Sequence, residues 1–243
     1  MAHRIETVDV QGSPMEVFLF DPPAERGPGP HPGIVLCPHI PVAHSGLEND
    51  PVTLHKGERY AENGFVVAAP FYFHWWPKTD GIDIKREEFR DDWTTVDLKA
   101  AFDLLAGQPH VDAERIGIVG HCWGGRVSWL GAATDARYRA CAVFYGGRIK
   151  LTMGPGTPPA IDLAPNIRCP AIGFFGNEDT NPSPADVNDY EAALKKAGVE
   201  HVFHRYDHAG HAFQTFSNPE RYRPEASEDA WGKVLAFMQE KLG

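Results

Sequence analysis

The stretch from position 116 to 125, Ile-Gly-Ile-Val-Gly-His-Cys-Trp-Gly-Gly, limits the possible folds more than any other part of the chain. Its apolar start is the signature of a strand buried on both faces. That strand runs directly into Gly120-His121-Cys122-Trp123-Gly124, and helix-forming residues follow at once. A strand that becomes a helix within one residue leaves little room for a Cβ where the two cross. This accounts for glycine two positions either side of the cysteine. The same turn sets the Cys122 sulfur at a helix N-terminus, where the dipole favours thiolate over thiol. Cys122 is therefore a candidate nucleophile. Cys37, Cys141 and Cys169 lie in or beside apolar runs and read as small buried hydrophobes.

The rest of the chain repeats this alternation. Residues 6–10 and 16–20 read as an opening hairpin around a Gly-Ser-Pro turn. Buried strands are expected over 34–37, 65–69, 115–119, 140–145 and 171–175, with a last strand over 201–206. Helices are expected over 54–63, 124–133, 185–197 and 226–242, and another through the apolar stripe Trp93, Val96, Ala100 and Leu104. The order implies one α/β domain over 1–243, a mostly parallel sheet flanked by helices on both faces. The Pro- and Gly-rich stretch 154–165 reads as a long loop that could cap a cleft.

A thiol nucleophile needs an imidazole to carry protons and an acid to hold that imidazole. In open α/β sheets such groups occupy loops beyond the carboxyl ends of strands. The strand at 171–175 ends in Gly176-Asn177-Glu178-Asp179, which favours Asp179 as the acid over the longer Glu178. The last strand ends in Asp207-His208-Ala209-Gly210-His211, and the tight Ala-Gly step favours His211 over His208 as the base. A metal site among His201, His204, His208 and His211 is not expected. The odd separation of His201 and His204 puts them on opposite faces of a strand.

Composition narrows the class further. The chain carries a net charge of −10 over 243 residues, unlike a nucleic-acid binder with clustered basic residues. No apolar run is long enough to span a membrane, and the start shows no signal-peptide pattern, so a cytoplasmic location is expected. Four widely spaced cysteines give no disulfide framework and no CxxC zinc motif.

With these segments in place, the chain resembles the dienelactone hydrolase family, a cysteine-nucleophile branch of the α/β-hydrolase fold. The resemblance is carried by Gly120-His121-Cys122-Trp123-Gly124-Gly125, Gly176-Asn177-Glu178-Asp179 and His208-Ala209-Gly210-His211-Ala212-Phe213, and extends from the strand at 34 to the final helix. It implies that Cys122 attacks a carbonyl, His211 shuttles the proton and Asp179 orients His211. It further implies an oxyanion hole from the backbone N–H groups of Ile40 and Trp123, and an acyl-thioester hydrolysed by water.

The chain departs from the family at three places. The family's glutamate after the third strand maps to His39, whose positive charge would favour a thiolate. The two arginines that hold the dienelactone carboxylate map near His74 and Thr215, so that anion clamp is missing. The expected substrate is a neutral or aromatic ester or lactone, in a pocket lined by His39, Tyr72, His74, Trp75, Tyr145 and Phe213, with Phe73, Trp76 and Trp123 nearby. No cofactor is expected. The expected partner is that small molecule, not nucleic acid or a membrane, and the chain is expected to be a monomer or a small homo-oligomer. Two rival readings keep the fold: a redox- or peroxide-reactive thiol, and a non-catalytic ligand receptor.

Overall fold

Eight strands form a single sheet in this computed structural model, which describes residues 3–243. They are β1 (Arg4–Val10), β2 (Ser13–Phe20), β3 (His31–Cys37), β4 (Val66–Pro70), β5 (Val111–His121), β6 (Cys141–Phe144), β7 (Ala171–Gly176) and β8 (His201–Tyr206). Their order across the sheet is β1-β2-β4-β3-β5-β6-β7-β8. The pairs β1/β2 and β2/β4 are antiparallel, and every pair from β4 onward is parallel. The chain therefore leaves β3 toward one edge, through β4, and returns past it to β5. The strand order reverses between β3 and β5, and open α/β sheets form their crevices beyond the carboxyl ends of strands at such a point.

The central strands are buried because they are apolar on both faces. Every residue of β4, β6 and β7 is buried, whereas the edge strand β8 is mostly half-exposed. Seven helices accompany the sheet: α1 (Val42–Ser45), α2 (Pro51–Glu62), α3 (Ile82–Glu87), α4 (Asp91–Ala106), α5 (Trp123–Thr134), α6 (Pro184–Ala197) and α7 (Pro224–Leu242). Helices α4, α5 and α6 pack together on one face, with Trp129 of α5 edge-on to Tyr190 of α6. Helices α2 and α7 cover the other, joined by Tyr60 against Trp231 and by Arg59 paired with Glu228. Among the described residues, no helix is long and apolar enough to cross a membrane.

Several local expectations need correction. The opening turn is Gln11-Gly12, with Ser13 and Pro14 already in β2. Helix α2 starts at Pro51, earlier than its apolar pattern implies, because the Asp50 side chain accepts the Thr53 N–H. In α4 the buried positions are Asp91, Thr94, Asp97, Leu98, Ala101, Phe102 and Leu105, while the stripe Trp93, Val96, Ala100 and Leu104 is only half-buried. Polar Asp97 and Thr94 disguise the true inner face. The stretch 154–165 is not all irregular loop. It leads into a 3-10 turn at Ala160–Asn166 that packs on α5 and α6, with Trp129 Nε1 donating to the Ala160 carbonyl at 2.9 Å.

One buried ion pair ties α4 to α5. The Arg126 guanidinium forks onto both carboxylate oxygens of Asp91 and also donates to the carbonyls of Arg148 and Leu151. Both side chains are almost fully enclosed, so the pairing and the extra acceptors are what make the buried charge tolerable.

Candidate active site

Strand β5 delivers Cys122 to the point where the strand order reverses. The residue itself caps the N-terminus of α5 with φ 58° and ψ −118°, a conformation that L-residues adopt only under constraint. The crossing enforces it. A Cβ at Gly120 would run into the Gly124 carbonyl, and one at Gly124 into the Cys37 carbonyl of β3. The Cys122 N–H is tied to the Phe144 carbonyl of β6 at 3.0 Å. Among the described residues, six non-glycine positions have positive φ, and all but Gln11 lie in this region: Cys122, Tyr145, Arg148, His208 and Ala212. Strain concentrated in this way is characteristic of functional sites.

The loops after β7 and β8 bring the other two groups. They are bonded to each other through Glu178 N–H to the Ala209 carbonyl and Asn177 N–H to the Tyr206 carbonyl, each 2.9 Å. His211 Nε2 lies 3.0 Å from the Cys122 sulfur, and His211 Nδ1 donates to Asp179 Oδ2 at 2.9 Å. The second oxygen of Asp179 accepts the Asn181 N–H at 2.8 Å, fixing the carboxylate plane. The competing residues turn away. His208 and Glu178 face each other at 3.5 Å on the surface, with the His208 side chain 93% exposed.

The protonation balance follows from this arrangement. Burial pushes the Cys122 thiol up, but the hydrogen bond and charge of His211, with the N–H groups of Trp123 and Ile40, bring it below its ordinary value. Burial pushes His211 down, yet Asp179 and the Cys122 sulfur raise it to about 10. Each group thus favours the charged form of the other, a thiolate–imidazolium pair. Two backbone N–H groups reach the sulfur, from Ile40 after β3 and from Trp123 at the start of α5.

The expected pocket residues mostly serve other ends. Tyr72 is fully buried, and its hydroxyl donates to the Pro38 carbonyl, bracing the loop that carries Ile40. His39 pairs with Asp50 at 2.9 Å, so its ring is held by a carboxylate instead of facing Cys122. His74 and Trp75 are both drawn to Asp97, at 2.9 Å each, and Ser13 closes the network on His74 at 2.8 Å. A fully buried carboxylate needs such donors, and that need directs both rings onto α4. Phe213 is fully buried between Tyr145 and Tyr206. Tyr145 stands edge-on to the His211 ring at 5.4 Å. Trp123, next in the chain to Cys122, packs edge-on to Phe89, which in turn stacks on Trp76.

Two cations near the site escape a reading of the sequence. Arg148 lies over the Trp123 ring at 5.5 Å, and its guanidinium has no acceptor among the described residues. Lys56, on the inner face of α2, is 8% exposed. The four-residue spacing Val52, Lys56, Tyr60 is the signal that would have put it on the buried stripe.

Relatives match this chain over most of their length. A candidate carboxymethylenebutenolidase from Synechocystis sp. is 32% identical over 248 residues, spanning 97% of this chain and 96% of the relative. One from Methylorubrum extorquens is 34% identical over 227 residues, spanning 90% of this chain and 74% of the relative. Among solved structures, a candidate dienelactone hydrolase from Klebsiella pneumoniae superposes with a TM-score of 0.83 at 24% identity, covering 98% of this chain and 99% of that one. At that identity the likeness speaks to the α/β-hydrolase fold alone. The sequence pattern of the dienelactone hydrolase family matches residues 15–242, and this chain belongs to that family.

Proposed function

We propose that the protein hydrolyses a carboxylic ester or lactone through Cys122, His211 and Asp179. The observation that carries this reading is the unbroken line from Asp179 through His211 to the Cys122 sulfur, at 2.9 and 3.0 Å, where the strand order reverses. In the proposed reaction the thiolate attacks the carbonyl carbon, and the oxyanion is received by the N–H groups of Ile40 and Trp123. His211 gives its proton to the departing alkoxide, and an acyl-thioester remains on Cys122. His211 then removes a proton from water as it attacks the thioester, and the thiolate leaves.

A neutral or aromatic ester is the favoured substrate. The positions that match the family's arginines hold His74 and Thr215, so no guanidinium stands there to take a substrate carboxylate. A second reading has one specific observation in its favour. The unengaged guanidinium of Arg148 over Trp123 would suit a substrate bearing an anionic group.

A panel of neutral aryl esters and matched carboxylate-bearing esters, assayed on wild type and Cys122→Ala, tests both parts. The leading reading expects turnover of neutral aryl esters that Cys122→Ala abolishes. Wild-type rates in Cys122→Ala would sink the mechanism. A strong preference for the carboxylate-bearing partners, lost in Arg148→Met, would replace the first substrate class with the second.

A further inference from the structure

We propose that Ser13, His74 and Asp97 form a second nucleophilic centre, in which the Ser13 hydroxyl takes an acyl group from an activated ester. The centre is separate from Cys122 and does not depend on the role assigned to that residue.

Three side chains far apart in the sequence meet in one line. The Ser13 Oγ lies 2.8 Å from His74 Nδ1, and His74 Nε2 lies 2.9 Å from Asp97 Oδ1. The His74 and Asp97 side chains are 3% and 0% exposed. The second Asp97 oxygen accepts the Trp75 Nε1–H at 2.9 Å, which fixes the carboxylate plane. A carboxylate can only accept, so it sets the ring proton on Nε2. Nδ1 is then a lone pair, and the Ser13 O–H donates to it. The His74 carbonyl, at 3.4 Å, is a poorer acceptor for the same hydroxyl. Acid, imidazole and hydroxyl therefore stand in the order that activates a serine nucleophile. The ring nitrogens are exchanged relative to His211, which gives Nδ1 to Asp179 and Nε2 to Cys122. Either nitrogen can take a proton while the other keeps its own.

The fold leaves the hydroxyl within reach and encloses what lies behind it. Strand β2 runs antiparallel to β4, with Val17 opposite Pro70. The start of β2 and the loop after β4 thus lie at the same end of the sheet, the end that also carries Cys122 beyond β5. The loop is tied to β2 by Phe71 N–H to the Glu16 carbonyl at 2.8 Å, and the His74 N–H closes on the Phe71 carbonyl at 3.2 Å. Asp97 comes from the inner face of α4. Ser13 follows the exposed Gln11-Gly12 turn and is itself part-exposed. A Cβ on Gly12 would meet no atom within 4 Å, so the approach to Ser13 is open.

The proposed step is a single acyl transfer. Ser13 Oγ forms a bond to the carbonyl carbon of an aryl ester, the bond from that carbon to the aryl oxygen breaks, and the aryloxide leaves with the electron pair. The Ser13 proton passes to His74 Nδ1, and Asp97 holds the resulting imidazolium. The proton then goes to the aryloxide. The products are acyl-Ser13 and a phenol, and His74 is neutral again. An open approach gives little purchase on a large ligand, so the fitting donor is a small acyl group on a good leaving group. The event is stoichiometric, and ester turnover remains a measure of Cys122.

The test is acetylation of Cys122→Ala protein by para-nitrophenyl acetate, followed serine by serine with peptide mass spectrometry. The substitution keeps the thiol from consuming the ester. Ser13 should acquire acetyl at least about 100-fold faster than the exposed Ser217, the gain a positioned base supplies. Adding His74→Gln removes the base and should bring Ser13 down to the rate of Ser217. Adding Asp97→Asn offers an N–H to Nε2, moves the ring proton to Nδ1 and should have a similar effect. Equal rates at Ser13 and Ser217 overturn the proposal and leave the network a purely structural seal between hairpin and α4. A fast Ser13 that a folded His74→Gln protein retains overturns it as well. If neither added variant folds, the ratio of Ser13 to Ser217 still decides, since it needs no change within the network.

Discussion

His211 Nε2 stands 3.0 Å from the Cys122 sulfur, and the two groups move each other's protonation in opposite directions, the thiol down and the imidazole up to about 10. Between those two values the pair exists as thiolate and imidazolium. Below the lowered thiol value the nucleophile gains a proton and activity falls. Above about 10 the imidazolium loses the proton it must deliver to the leaving group, and activity falls again. A plot of kcat/KM against pH for a neutral aryl ester should therefore rise below the ordinary thiol range and show an alkaline limb near 10. A rate that climbs through the ordinary thiol range instead would contradict the paired resting state.

Removal of the three groups should have graded effects. Cys122→Ala and His211→Ala are each expected to lower kcat by at least about a thousandfold, since they act as one unit. Asp179→Asn keeps the shape of the site but loses the charge that raises His211, and a loss of roughly 10- to 1,000-fold is expected. Steady-state kinetics on the same ester, with folding checked by circular dichroism, decides the order. An Asp179→Asn enzyme at full rate would argue that another acid, Glu178 being the nearest, holds the histidine.

The Asp91–Arg126 pair offers a stability test away from the chemistry. Asp91→Ala leaves a guanidinium almost fully enclosed with only the carbonyls of Arg148 and Leu151 as acceptors. The expected loss is about 3–5 kcal/mol in denaturant unfolding. Because Arg126 belongs to α5 and holds the segment carrying Arg148, the same variant should also weaken binding of any substrate that uses Arg148. A loss under about 1 kcal/mol would mean the pair is far less costly to break than its burial implies.

His74 separates a structural role from a pocket role. With its ring bonded to Asp97 and Ser13, His74→Ala should destabilise the protein by about 1–3 kcal/mol by leaving a buried carboxylate short of a donor. The kcat/KM for an aryl ester should stay within about twofold of wild type. A large rise in KM with stability unchanged would return His74 to the substrate pocket.

What the sequence made legible and what it hid divide along physical lines. The buried strands and the turn at Cys122 were readable because apolar runs and paired glycines leave local signatures, whereas their order across the sheet was not. Asp179 and His211 could be chosen over Glu178 and His208 because each lies a fixed step beyond a strand end. The exact inner face of α4 was not readable: Asp97 is buried there through long-range pairing with His74 and Trp75, and Thr94 with its hydroxyl returned to the Arg90 carbonyl one turn back. The hydrogen bonds of the pocket aromatics were hidden on the same ground. Position near a strand end says that a ring is close to the site, but not whether a buried acceptor such as the Pro38 carbonyl or Asp97 has claimed it. Lys56 stayed hidden because a lysine on a helix is ordinarily solvated, and only the packing of α2 against the sheet turns that one inward.

The bend at Cys122 is imposed from outside the residue, by the carbonyls crowding Gly120 and Gly124 and by the Phe144 carbonyl that takes its N–H. The scaffold specifies a place and a direction, not an element of the periodic table. A serine at that corner should be carried in the same posture, so that oxygen could replace sulfur without the surrounding architecture registering the exchange, and the chemistry of the protein would then differ by one atom while its shape stayed the same.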